Sequence, residues 1–181
     1  MKKNLGIFGP AGSGKGVAAK YIARKYNYKI INMGNIVRAL AKKEKLKPTR
    51  KNLEKIGEKY SKIYKTDFVI EHALEKAKQS KKPVILDGIR KPNQAKLAKQ
   101  KIKAILILID AKPEIRFKRM KARRRTDFPK TFEIFRKEEK QEERFFNLKK
   151  TFSMADYKVD NSKDKKYLFK QLDKIMKKIN R

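Results

Sequence analysis

The chain has 181 residues, with 52 Lys or Arg against 19 Asp or Glu, for a formal net charge of +33. That length suits one domain, and residues 1–181 are read as one. The lack of Cys excludes a disulfide scaffold and any Cys-ligated zinc site. The longest clean apolar run, Ala104–Ile109, is too short for a membrane span of about 20 residues. Glycine-rich sequence from Gly9 leaves no secretory leader to be expected, and a cytoplasmic location follows.

In chain order, Asn4–Phe8 reads as a buried strand ended by Gly9-Pro10. Gly14–Tyr26 has helical periodicity, with Val17, Ala18, Tyr21 and Ile22 on one face. Lys29–Asn32 is a short strand, and Met33–Lys43 and Leu53–Ile63 read as helices. Asp67–Ser80 repeats the pattern through Phe68, Ile70, Leu74 and Ala77. Pro83–Leu86 is an apolar strand and Gln94–Lys101 a helix. Ile102–Ile109 is rich in β-branched residues and predicts a strand. Pro113–Arg125 and Thr131–Asn147 are helices, Tyr157–Val159 a last strand, and Asp164–Ile179 a closing amphipathic helix. Such alternation predicts a three-layer α/β sandwich, with a five-stranded parallel sheet covered by helices on both faces.

The charge is spread evenly: +13 for residues 1–60, +10 for 61–120 and +10 for 121–181. A nucleic-acid-binding arm would concentrate it in one block. An even lysine excess reads instead as solvated helix faces, with non-specific RNA attraction at low salt as its by-product. The apolar residues come in periodic blocks, which argues against disorder in spite of the composition.

Gly9-Pro10-Ala11-Gly12-Ser13-Gly14-Lys15-Gly16 joins a predicted strand to a predicted helix, the setting of a phosphate-binding loop. Glycines let successive backbone N–H groups turn inward around a phosphate, and the helix start adds a positive dipole end. Lys15 then supplies a point charge able to reach the β- and γ-phosphates. Gly16 stands where the general motif has a Ser or Thr hydroxyl for Mg²⁺, and Val17 follows it.

The run Gly14-Lys15-Gly16 resembles the loop of adenylate kinase and other P-loop nucleoside monophosphate kinases, in which a Thr follows; Val17 takes that place here. The resemblance implies a P-loop NTPase fold, ATP bound along Gly9–Val17, and Mg²⁺ held mainly by water and nucleotide oxygens. Gly34-Asn35-Ile36-Val37-Arg38 is similar to the family's Gly-Asp-x-x-Arg element, which implies an acceptor-phosphate site at Gly34 and Arg38. Asp87, Gly88, Arg90 and Gln94 resemble the family's Asp-Gly-Phe-Pro-Arg and following Gln, one residue shorter. The resemblance implies that Asp87 organises Mg²⁺ through water, Arg90 binds the acceptor phosphate and Gln94 reads its base.

Five arginines lie between positions 116 and 125 of a chain that otherwise prefers Lys. Arg119, Arg123, Arg125 and Arg136 match the family's lid pattern, Asp127 keeps one of its acids, and Phe128 replaces the second. The resemblance implies a short helical lid over about 119–147, acceptor-binding helices over about 33–80, and catalytic roles for Lys15 and those four arginines, with Arg119 also on ATP. Residues 155–161 look like the last strand and turn of dephospho-CoA kinases, where Asn161 lines an adenine pocket or caps the final helix. The pattern is closest to a group of archaeal nucleotide-kinase-like proteins. Glu138, Glu139, Glu142 and Glu143 read as solvated partners of nearby Lys and Arg, and His72 as a surface or packing residue. Phe132, Phe135, Phe145 and Phe146 read as anchors of the lid helix.

The expected activity is transfer of the γ-phosphoryl of ATP to a nucleoside monophosphate. The alternatives are a dephospho-CoA-type kinase, or an RNA-associated P-loop ATPase or nucleotide-binding protein.

Overall fold

In the computed structural model, which describes residues 2–122 and 129–180, strand β1 (Leu5–Phe8) is buried along its whole length. Its side chains alternate between two cores, as the two-residue strand period requires. Leu5 and Ile7 join one and Phe8 the other. Helix α1 (Lys15–Tyr26) follows, then β2 (Lys29–Asn32), α2 (Met33–Lys43), α3 (Arg50–Ile63) and α4 (Phe68–Lys78). Next come β3 (Val84–Asp87), α5 (Pro92–Ile102), β4 (Ile105–Asp110) and α6 (Pro113–Lys121). The chain closes with α7 (Phe132–Phe146), α8 (Leu148–Ser153), β5 (Tyr157–Asp160) and α9 (Lys165–Ile179).

The five strands run parallel in the order β2-β3-β1-β4-β5. One core packs α2, α4, α5 and α8 against the sheet through Ile36, Leu74, Ala98 and Phe152. The other packs α1 and α9 through Ile22, Leu168, Leu172 and Met176. The expected three-layer α/β architecture is the one found.

Local chemistry sets the boundaries. Thr49, Thr131 and Asp164 cap their helices by accepting the N–H of Asn52, Ile134 and Tyr167. Strand β4 starts at Ile105 rather than Ile102, because Lys103 takes a left-handed turn (φ 50°) that ends α5. The short helix α8 has no counterpart in the sequence reading. It buries Leu148 and Thr151, whose hydroxyl donates to Arg90 O at 2.8 Å.

Candidate active site

All five strands point their carboxyl ends the same way, so the loops after β1, β2, β3, β4 and β5 share one edge of the sheet. The glycine-rich loop leaves β1 at Gly9 and enters α1 at Lys15. Ser13 N–H donates to Pro10 O at 3.2 Å, and Lys15 Nζ reaches the same carbonyl at 3.3 Å. Gly12 and Gly14 hold φ of 78° and 92°, which L side chains rarely adopt. Space is closed as well: a Cβ on Gly12 would lie 2.6 Å from Arg116 O, and one on Gly14 2.2 Å from Asn161 Nδ2. The loop is therefore clamped between α6 and the turn after β5. No side chain caps α1 and no acid sits in its first turn, so its N–H groups present an anion-binding end.

Asp87 stands at the end of β3, with Asn32 paired beside it in register at the end of β2. Asn32 Nδ2 donates to Asp87 Oδ2 at 2.6 Å. Burial raises the Asp87 pKa above the usual carboxylate range, opposed by the Lys15 ammonium, the Asn32 hydrogen bond and the Arg38 guanidinium. Asp87 Oδ1 and the Ser13 hydroxyl are buried with no hydrogen-bond partner among the described residues. One such carboxylate oxygen fits a mostly hydrated Mg²⁺ shared with phosphates, the usual habit of that ion. An all-protein cage is not offered, since the described residues hold no cluster of three or more His, Asp or Glu suited to a metal.

Gly34 and Arg38 lie together on α2. Arg38 Nη2 donates to Asn35 Oδ1 at 2.5 Å and to Asn32 Oδ1 at 3.2 Å, and its guanidinium lies over Gly34. Asn32, which the sequence reading passed over, thus links Arg38 to Asp87. It also caps α2 by accepting Asn35 N–H at 3.0 Å.

Beyond Asp87, Gly88 turns with φ 102° and donates its N–H to Ile7 O at 3.0 Å. Arg90 Nη1 meets Glu142 at 2.7 Å, and its guanidinium lies 5.0 Å from the Phe146 ring centroid. Gln94 is buried: its Oε1 accepts the N–H of Arg90 and Lys91, and its Nε2 donates to both Asp67 oxygens at 3.1–3.2 Å. The carboxamide thereby holds the loop after β3 and ties α5 to the start of α4.

Arg116 is 4% exposed and reaches Ala111 O at 2.8 Å and Ala11 O of the glycine loop at 3.3 Å. It also pairs with Glu139 of α7, which meets Arg136 at 2.6 Å. Glu139 and Glu142 are therefore not solvated helix-surface acids: both line a crevice with Pro10, Ala11 and Phe135, and Glu142 is 9% exposed. Phe135 and Phe146 anchor α7, whereas Phe145 stays 46% exposed. Arg119 Nη2 donates to Lys163 O at 3.3 Å, in the turn after β5. Arg123 and Arg125, with Asp127 and Phe128, lie outside the described residues. Asn161 does not cap α9; Asp164 does.

A family described as an AAA domain matches residues 8–136, from the end of β1 into α7. Along nearly the whole chain, the UPF0200 protein MJ1399 of Methanocaldococcus jannaschii is 32% identical over 178 residues, 97% of this chain and 89% of the relative. The chain belongs to the UPF0200 family and carries this AAA domain. A UPF0200 protein of Hyperthermus butylicus is 30% identical over 156 residues, covering 86% and 83% of the two chains. Among solved structures, shikimate kinase from Bacteroides thetaiotaomicron superposes on this UPF0200 chain with a TM-score of 0.67 at 13% identity, over 100% of both chains. Shikimate kinase from Acinetobacter baumannii, in complex with shikimate, gives 0.65 at 15% identity over 99% and 94%. The fold of this UPF0200 protein is thus that of the P-loop kinases. No described helix is long and apolar enough to cross a membrane.

Proposed function

We propose that the chain transfers the γ-phosphoryl group of ATP to a nucleoside monophosphate. One observation carries the reading: Asn32 donates to Asp87 and accepts from Arg38, which ties the cation of the acceptor element to the carboxylate at the end of β3, beside the strand that feeds the glycine loop. That link puts a carboxylate between the places where donor and acceptor phosphates would sit.

The loop amides and Lys15 would hold the β- and γ-phosphates, with Arg38 on the acceptor phosphate and Arg90 joining it on release from Glu142. Arg119, Arg123, Arg125 and Arg136 would surround the transferring group, where well-placed arginines give rate factors of roughly 10³–10⁵. Little covalent chemistry is asked of the side chains; positioning and charge complementarity supply the rate. Mg²⁺ bound beside Asp87 would neutralise charge on the phosphates. Asp87 itself would orient waters through Oδ1 while Asn32 holds Oδ2.

A coupled assay across the ribo- and deoxyribonucleoside monophosphates tests this. Phosphorylation of one or more is expected; ATP binding without transfer to any of them would sink the reading. The pairing of Arg90 with Glu142 favours a second reading, in which the acceptor presents a hydroxyl, as in dephospho-CoA-type kinases. In that case Arg90→Ala leaves acceptor kcat/KM nearly intact, whereas the monophosphate reading expects a large loss.

A further inference from the structure

The turn after β5 reaches back to the glycine loop through one side chain. Asn161 N–H donates to Asp110 O at 2.7 Å, which carries the β4–β5 ladder one residue past the strand and fixes the backbone. Its Nδ2 then donates to Ser13 O at 2.8 Å, across 148 residues of sequence. Both ends are dry, with Asn161 5% exposed and Ser13 0%. The Asn161 carboxamide lies so close to Gly14 that a Cβ there would stand 2.2 Å from Nδ2. Gly14 is thus required for this contact as well as for its φ of 92°.

The consequence follows from peptide geometry. Carbonyl and N–H of one trans peptide point in opposite directions, and the described residues contain no cis bond. Holding the Ser13 carbonyl toward Asn161 turns the Gly14 N–H to the other side, the hollow of the loop. We propose that Asn161 is a positioning residue of the phosphate loop, fixing the Ser13–Gly14 peptide so that the Gly14 N–H meets the β-phosphate of a nucleoside di- or triphosphate. The inference rests on the phosphate-loop reading. It assigns to the last strand a part in donor binding that involves no contact with the ligand.

The test uses the full chain in two measurements. Backbone ¹⁵N relaxation of the unliganded protein reports the loop directly. In N161A the Gly14 and Lys15 order parameters are expected to fall from about 0.85 to below about 0.6. Calorimetry then compares ADP with AMP, which lacks the β-phosphate. Asn161→Ala is expected to weaken ADP about tenfold, or ~1.4 kcal/mol, and AMP less than twofold. The isosteric N161D carboxylate opposes the Ser13 carbonyl and is expected to loosen the loop more at pH 8, with partial rescue as acid protonates it. It answers the same question if N161A does not fold. Loop amides as rigid as in the wild type overturn the proposal, as does unchanged ADP affinity, or equal losses for ADP and AMP. A wild-type chain that binds no ADP or ATP sinks the kinase reading instead, and the order parameters still decide the role of Asn161.

Discussion

The donor and acceptor sides of this cleft are built from different materials. The glycine loop is mainly backbone, pressed against backbone at Arg116 and against the Asn161 carboxamide, with Lys15 as its one long side chain. The acceptor side is made of long side chains that already hold other groups: Arg38 on Asn32 and Asn35, and Arg90 on Glu142. A backbone cradle binds anions with little reorganisation, because its shape is set on folding. Arginines engaged with carboxylates and amides must exchange one partner for another. Donor binding should therefore be insensitive to changes beyond the groups that clamp the loop, Arg116 and Asn161, and acceptor binding sensitive to changes in the partners its arginines hold.

The largest effect expected is on the donor side. Lys15→Ala should lower kcat/KM for ATP by roughly 10²–10³-fold while leaving the melting temperature nearly unchanged. A loss of affinity confined to the acceptor would break the comparison. Gly12→Ala should cost about 1–3 kcal/mol of stability by denaturant titration, since both its φ and the nearby Arg116 backbone oppose a side chain.

On the acceptor side the two members of one pair should behave differently. Arg90→Ala takes a counter-ion from Glu142, which is 9% exposed, and should cost about 1–3 kcal/mol, below the cost of a fully buried pair because Arg90 is 42% exposed. Glu142→Gln should cost less, about 1 kcal/mol, and tighten acceptor binding by releasing Arg90. Equal losses of acceptor affinity in the two variants would show that Arg90 never leaves its partner.

Asp87 gives a smaller, pH-dependent effect. Burial raises its pKa in the folded state, so its ionisation weakens the fold as pH rises through and above the ordinary carboxylate range. Asp87→Asn should therefore raise the melting temperature at pH 7, with the gain vanishing below the ordinary carboxylate pKa, and abolish transfer. A gain that persists in acid would refute this account of the site.

The smallest effect lies far from the cleft, where Tyr21, Lys25 and Tyr26 converge on Asp173 and join α1 to α9. Burial raises the Asp173 pKa, but these hydrogen bonds outweigh it and lower the pKa overall, so the contribution is present at neutral pH and lost as pH falls through the depressed value. Asp173→Asn should cost about 1 kcal/mol near pH 7 and leave kcat/KM untouched.

What could be read from residue order follows the same division. Gly9–Lys15 is a local device: spacing, glycine content and the strand-to-helix setting all lie within one stretch, and the loop sits where they put it. Residue order passes over Asn32, reads Glu142 as a surface acid, Arg116 only as one of an arginine cluster and Asn161 as an adenine-pocket or capping residue, because the partners that define their roles are distant. Arg116 meets Ala11 across 105 residues and Asn161 meets Ser13 across 148. Glu139 and Glu142 followed the helical spacing of surface ion pairs, and only the packing of α7 over the loop distinguishes them from such pairs. Gln94 had a family precedent for its spacing, but nothing local signalled Asp67 as its partner. The start of β4 was misplaced because the left-handed turn falls on Lys103, not on a glycine.

The strand order has a consequence for synthesis. Leu5, near the start of the chain, pairs with Ile85 and Ile105. A nascent chain growing at about 5–20 residues per second therefore carries the strand that feeds its phosphate loop unpaired until β3 and β4 have been made. The Asn161 contact arrives later still, so the loop is translated well before its last support. Such non-local pairing slows folding. A truncated chain ending before β5 would keep every residue of the glycine motif and lack the contact that orients it.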